Sequence, residues 1–141
     1  MKKTLLILLL VGASYATMSY AMNEEKRKLL PCPASPNCVS TLTEDEAHTI
    51  SPIAYSGSME QTKQRLLDVL NSLPRINILA NDMNYLQVTQ TSLIFRFVDD
   101  VEFVFDDEQK LVHFRSASRT GYSDFGVNRK RMEKIRALMR Q

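Results

Sequence analysis

Apolar and polar residues alternate with a period of two through the centre of this chain, and a helical spacing replaces that alternation on either side. Residues 40–57 read as irregular, punctuated by Pro52 and Gly57. Ser58-Met59-Glu60-Gln61 then has the form of a capping box, with Ser58 as the cap and Gln61 at the third helical position. Met59, Leu66, Leu67, Leu70 and Leu73 supply a helical apolar face, and Pro74 ends it. Ile76 to Ala80 reads as a short strand, Asn81-Asp82 as a turn, and Tyr85 to Thr89 as a second strand with Leu86 and Val88 on one side.

The next apolar run predicts one long strand beginning at Leu93. Leu93, Phe95, Phe97, Val101, Phe103 and Phe105 share a parity and are expected to face the core; Arg96, Asp100, Glu102 and Asp106 share the other. Asp99 falls on the apolar side, against the pattern. Leu111 to Ser118 is expected to pair back as a hairpin around residues 107–110. That register sets Phe103 opposite Phe114, Phe105 opposite Val112, Glu102 opposite Arg115 and Asp99 opposite Ser118. A last helix follows, with Ser123 or Asp124 as its cap and Gly121 permitting a tight approach. Met132, Ile135, Leu138 and Met139 form its apolar stripe. Asn128 lies one turn earlier on the same stripe, with Arg129 and Arg131 flanking it.

These elements predict an α+β fold: an antiparallel sheet of about four strands, with two helices on one face and a cysteine-containing loop at an edge or end. The expected organisation is a cleavable signal peptide at 1–21, an irregular segment at 22–57, and an α+β core at 58–141. The last two form one domain. The signal is read from Lys2 and Lys3, the apolar run Leu5 to Val11, and the small and polar residues ending Ser19-Tyr20-Ala21. An uncleaved anchor is the alternative, although the run is shorter than the roughly 20 apolar residues of a membrane span. No Cys stands at the cut for lipid attachment, and Pro31 precedes Cys32. The expected location is therefore periplasmic or secreted, with no membrane span after cleavage.

Charge changes the picture once the leader is removed. The chain has 18 Lys and Arg against 16 Asp and Glu, and loss of Lys2 and Lys3 cancels the excess. No nucleic-acid partner is implied. The charge is segregated instead. Asp99, Asp100, Glu102, Asp106, Asp107 and Glu108 crowd one strand and its turn, whereas the segment from Arg115 to Arg140 is mostly basic.

Cys32 and Cys38 flank Pro33 and Pro36 in PCPASPNCVS. In an oxidising compartment a disulfide is the simplest reading; a free or redox-active thiol and a metal ligand are the others. No metal site is expected, because His48 and His113 stand at no ligand spacing. No cofactor motif is present.

Asp99, Ser116, Ser118 and Asn128 are expected to converge at one end of the core, with Arg115 and Arg119 across the sheet. Two readings fit. One is a hydrogen-bond network joining helix to sheet, with the arginines paired to Asp100 and Glu102. The other is a site for an anionic small molecule, a lipid headgroup or an envelope protein. Its contacts would come from Arg115, Ser116, Ser118, Arg119, Ser123, Asp124, Asn128 and Arg129. An enzymatic alternative would use Asp99 as general acid or base, with Arg115 or Arg119 stabilising charge.

The segments CPASPNCVS at 32–40, HTISPI at 48–53, FVDDVEF at 97–103 and RSASRTGYSDFGVNRKRMEKIR at 115–136 resemble the family called domain of unknown function 1499. The resemblance spans nearly the whole chain after the leader and implies a small exported or envelope-associated bacterial domain. It implies no particular chemistry. Some members carry additional membrane segments, where this chain has the N-terminal one alone.

Overall fold

A computed structural model describes residues 27–141; the leader expected at 1–21 lies outside the described residues. The described elements are β1 (Cys38–Ser40), β2 (Ile53–Ala54), α1 (Met59–Ser72), β3 (Ile76–Asn81), β4 (Tyr85–Thr91), β5 (Val98–Asp106), β6 (Leu111–Ser118) and α2 (Val127–Met139). The strands form one antiparallel sheet in the order β1-β6-β5-β4-β3, with β2 also paired to β6. The α+β class is as expected, but the sheet has six strands rather than about four. The two additional strands are two and three residues long, too short for a period of two to mark them, and lie in the segment expected to be irregular.

Helix α1 begins where its sequence says. The Ser58 hydroxyl accepts a hydrogen bond from the Gln61 amide at 3.1 Å, which satisfies one of the unpaired donors of the first turn. The helix ends at Leu73, before Pro74. The β5–β6 hairpin has the predicted register, with Glu102 opposite Arg115, Phe103 opposite Phe114, Phe105 opposite Val112 and Asp99 opposite Ser118.

Leu66 and Leu70 of α1, Met132 and Ile135 of α2, and Leu86, Val88, Val101, Phe103, Val112 and Phe114 of the sheet form one buried cluster. Each large side chain so buried contributes roughly 1.5–3 kcal/mol relative to exposure, which makes this packing the main attachment of both helices. The opposite sheet face is also covered in part. Tyr85, Glu102 and Ala117 are buried there, Arg27 stacks over the Tyr85 ring at 5.0 Å, and Cys32 is joined to Cys38 of β1 by a disulfide.

Two expectations fail locally. Residues 93–97 do not extend β5; they form the connection from β4, closed by Ser92 donating its amide to the Phe97 carbonyl at 2.8 Å. Arg96 adopts a left-handed φ of 56° within it. Leu93, Phe95 and Phe97 therefore stand exposed, not inward. Alternation marks which residues share a face, and it is silent on whether a face exists to receive them. The cap of α2 is also displaced. Gly126, at φ 77°, occupies the cap position with no side-chain cap, whereas Ser123 accepts only from the Phe125 amide at 3.3 Å.

Candidate functional site

Asp99, Ser116, Ser118 and Asn128 converge as expected, and Arg131, from the flank of the α2 stripe, joins them. Strand parity turns Asp99, Ser116 and Ser118 towards the helices, and the stripe of α2 brings Asn128 over them. The Ser116 hydroxyl donates to Asn128 Oδ1 at 2.6 Å. The Asn128 amide nitrogen donates to Ser118 Oγ and the Asn37 carbonyl, each at 3.0 Å, and to Asp124 Oδ2 at 2.7 Å.

Arg131 completes the network. Its guanidinium donates to Asn128 Oδ1 at 2.7 Å, Ser116 Oγ at 2.9 Å and Gln90 Oε1 at 2.5 Å. It also pairs with Asp99, and both side chains of that pair are less than a tenth exposed. A buried carboxylate on an apolar strand face needs a cation within reach. Arg131 stands three positions after Asn128, so an i,i+3 search from the stripe would have found it.

Asp124 sits at the network's edge. Burial works to raise its pKa, but donation from the Asn128 and Gly126 amides and from the Asn128 side chain outweighs this, so the carboxyl lies below its ordinary value. It thus supplies the acceptor for the start of α2 from outside the formal cap position, with the Asn128 amide donating at 2.8 Å.

The remaining predicted residues lie elsewhere. Arg115 and Arg119 are on the other sheet face, as strand parity requires. Arg115 pairs with Glu102 at 3.1 Å, and Glu102 also accepts from the Tyr85 hydroxyl at 3.0 Å. Burial, with the Glu102 charge adding to it, raises the Tyr85 pKa. Arg119 holds Asp100 through two hydrogen bonds of 2.8 Å. Arg129 reaches the other way and donates to the Thr49 and Ala47 carbonyls at 3.0 and 3.3 Å. The histidines serve local structure: His48 Nδ1 meets Asp45 at 2.8 Å, and His113 Nδ1 meets the Thr41 hydroxyl at 3.1 Å.

The charge is also distributed by end. Asp82, Asp106, Asp107 and Glu108 lie in or beside the β3–β4 and β5–β6 turns. The opposite end carries the 92–97 and 119–126 loops, the corner from α1 to β3, and the start of α2. Arg75 at that corner donates to the Thr91 carbonyl at 2.7 Å. Lys130 and Lys134 share a groove of about 270 Å³ with Leu73, Pro74 and Val127. Arg75, Arg96, Lys130 and Lys134 are exposed, and among the described residues no carboxylate pairs with any of them. The first turn of α2 contains no acid, and Arg129 and Lys130 there add to the positive end of its dipole instead of opposing it.

Among the described residues no group of three or more potential metal-ligating side chains occurs, and no helix is long and apolar enough to cross a membrane. The family model described as "Protein of unknown function (DUF1499)" matches residues 28–139. No curated protein matches the chain.

Proposed function

We propose for this chain, which belongs to the DUF1499 family, the role of a non-catalytic binding domain of the cell envelope. It takes an anionic group at the end of the sheet where Arg119 leaves β6. One observation carries the reading: Arg75, Arg96, Lys130 and Lys134 are exposed at that end with no carboxylate partner among the described residues. Like charges gathered without partners raise the local potential and favour anionic ligands.

The network of Asp99, Arg131, Asn128, Ser116 and Ser118 is the framework beneath this end. Its polar groups answer one another, so they hold α2 against the sheet and keep the start of that helix in place. Export to the periplasm or beyond, with residues 1–21 removed, is supported by the Cys32–Cys38 disulfide, a bond characteristic of oxidising compartments. The enzymatic alternative draws less support. Asp99 is 6% exposed against Arg131, and Arg115 and Arg119 lie across the sheet from it.

Native mass spectrometry of the unreduced protein from its own cells tests the proposal, with Arg119→Ala and Lys130→Ala/Lys134→Ala beside it. Arg119→Ala removes a cation and also releases the Asp100 carboxylate towards the ligand. The expected result is an added anionic mass that both folded variants lose. A bound mass kept by both variants would sink the reading; loss of folding together with binding would return Arg119 to the framework.

A further inference from the structure

The same end carries apolar side chains that the anion reading does not use. Among the described residues twelve large hydrophobic side chains are exposed, and six of them project from two loops: Leu93, Ile94, Phe95, Phe97, Tyr122 and Phe125. Ile94 is 78% exposed and Phe125 88%. The loops are neighbours, since Asp99 pairs with Ser118 and the Arg119 amide donates to the Val98 carbonyl at 3.0 Å.

The 92–97 loop is held in shape. Besides the Ser92–Phe97 backbone bond, the Ser92 hydroxyl accepts from the Phe97 amide at 2.9 Å, and the Phe95 and Phe97 rings stack 5.6 Å apart. The exposure is therefore a property of an ordered turn. Apolar residues concentrated on a loop tip cost solubility and mark a contact surface.

We infer that these two loops insert into the interface of an anionic lipid bilayer. The inference rests on the anion-binding reading above and names the partner. Charge selects this occupant. Residues 92–97 contain Arg96 and no acid, and residues 119–126 contain one acid, Asp124, which is engaged by the Gly126 and Asn128 amides. Arg75, Lys130 and Lys134 stand behind the apolar tips. Aliphatic and aromatic tips backed by cations fit a layer whose anionic headgroups overlie hydrocarbon: the tips enter the acyl boundary while the bases stay among the headgroups. Tyr122 has the amphipathic ring that settles at that boundary.

The experiment is flotation of the protein without the leader at 1–21, which would itself enter a bilayer, with two sets of vesicles, pure phosphatidylcholine and phosphatidylcholine mixed with phosphatidylglycerol. Association with the mixed vesicles, weakening as salt rises, is expected. Ile94→Asp/Phe95→Asp should lower the partition coefficient at least about tenfold with an unchanged melting temperature, since both residues are exposed. Arg96→Ala/Lys130→Ala/Lys134→Ala should lower it roughly a hundredfold at low salt. A soluble headgroup, glycerol phosphate, followed by amide NMR, separates the two levels of the argument. Amide shifts at Arg96 and Lys130 without vesicle association would overturn the bilayer and leave anion binding standing. Vesicle association undiminished in Ile94→Asp/Phe95→Asp would likewise overturn insertion. No response to either probe would overturn both.

Discussion

Ser116 on β6 and Asn128 on α2, both fully buried, meet through a hydrogen bond of 2.6 Å that ties the last helix to the centre of the sheet. Asn128 serves this junction with both ends of its amide: the oxygen accepts from Ser116 and Arg131, and the nitrogen donates to Ser118, Asn37 and Asp124. Asn128→Ala removes the hub and leaves buried donors and acceptors without partners. A loss of roughly 2–4 kcal/mol is expected, measured by equilibrium urea unfolding. A loss within experimental error would mean that the network is peripheral to stability.

The Asp99–Arg131 pair predicts strong non-additivity. Removing one partner from a buried ion pair leaves an uncompensated charge, so Arg131→Met alone should cost roughly 3–5 kcal/mol. Asp99→Asn/Arg131→Met should cost clearly less than the sum of the single changes. A double-mutant cycle in urea checks this, and simple additivity would refute the coupling. The same Asp99→Asn protein discriminates the enzymatic alternative, which expects a pH-dependent activity to disappear while the fold stays intact.

His113 sets a pH dependence. Burial lowers its pKa below the ordinary histidine value, partly opposed by the charge of Asp106. The unfolded chain therefore takes up the proton more readily than the folded one. The His113 contribution is present above about pH 6.5, the unfolded-state value, and is lost as the pH falls through the lower folded-state value. Thermal melts across this range should show declining stability on the acid side, and His113→Gln should flatten that decline. An unchanged slope would mean that other groups govern the limb.

The Cys32–Cys38 disulfide closes a small loop next to the sheet edge. For a loop of this size the chain-entropy account gives about 2 kcal/mol of stabilisation. Cys32→Ser/Cys38→Ser should lose that amount, and hydrogen exchange should accelerate at Cys38–Ser40 before it does in β4 or β5. Equal acceleration in all strands would show that the bond supports the whole fold and not its edge alone.

The hairpin register was readable because Phe103, Phe105, Val112 and Phe114 must share a face, and a slip of one residue would turn them out. The inward position of Asp99 followed from the same parity. Other features depend on information that periodicity does not hold. The alternation of Leu93, Phe95 and Phe97 matches a buried strand, and the turn at Arg96 deprives it of a surface to pack on. Parity turns Glu102 outward, and it is on that face; it is nevertheless buried, with Tyr85 and Arg115 against it. Arg131 stands beside the stripe, and only the reach of its long side chain, which the i,i+3 spacing from Asn128 allows, carries its charge inward to Asp99. The cap at Gly126 depends on a left-handed backbone that glycine allows and sequence does not require.

The order of the strands also decides how the molecule comes apart. Cys38 pairs with Ala117, so the edge strand nearest the N-terminus docks on the last strand in the chain. The β3–β4 and β5–β6 hairpins close locally, whereas β1 must wait for a distant partner, a late and entropically costly step in folding. Tension applied through the N-terminus reverses that step. Once the Arg27 contacts to Tyr85 and Asp82 give way, it falls on three residues at an edge, which can peel away while the four-stranded meander remains paired.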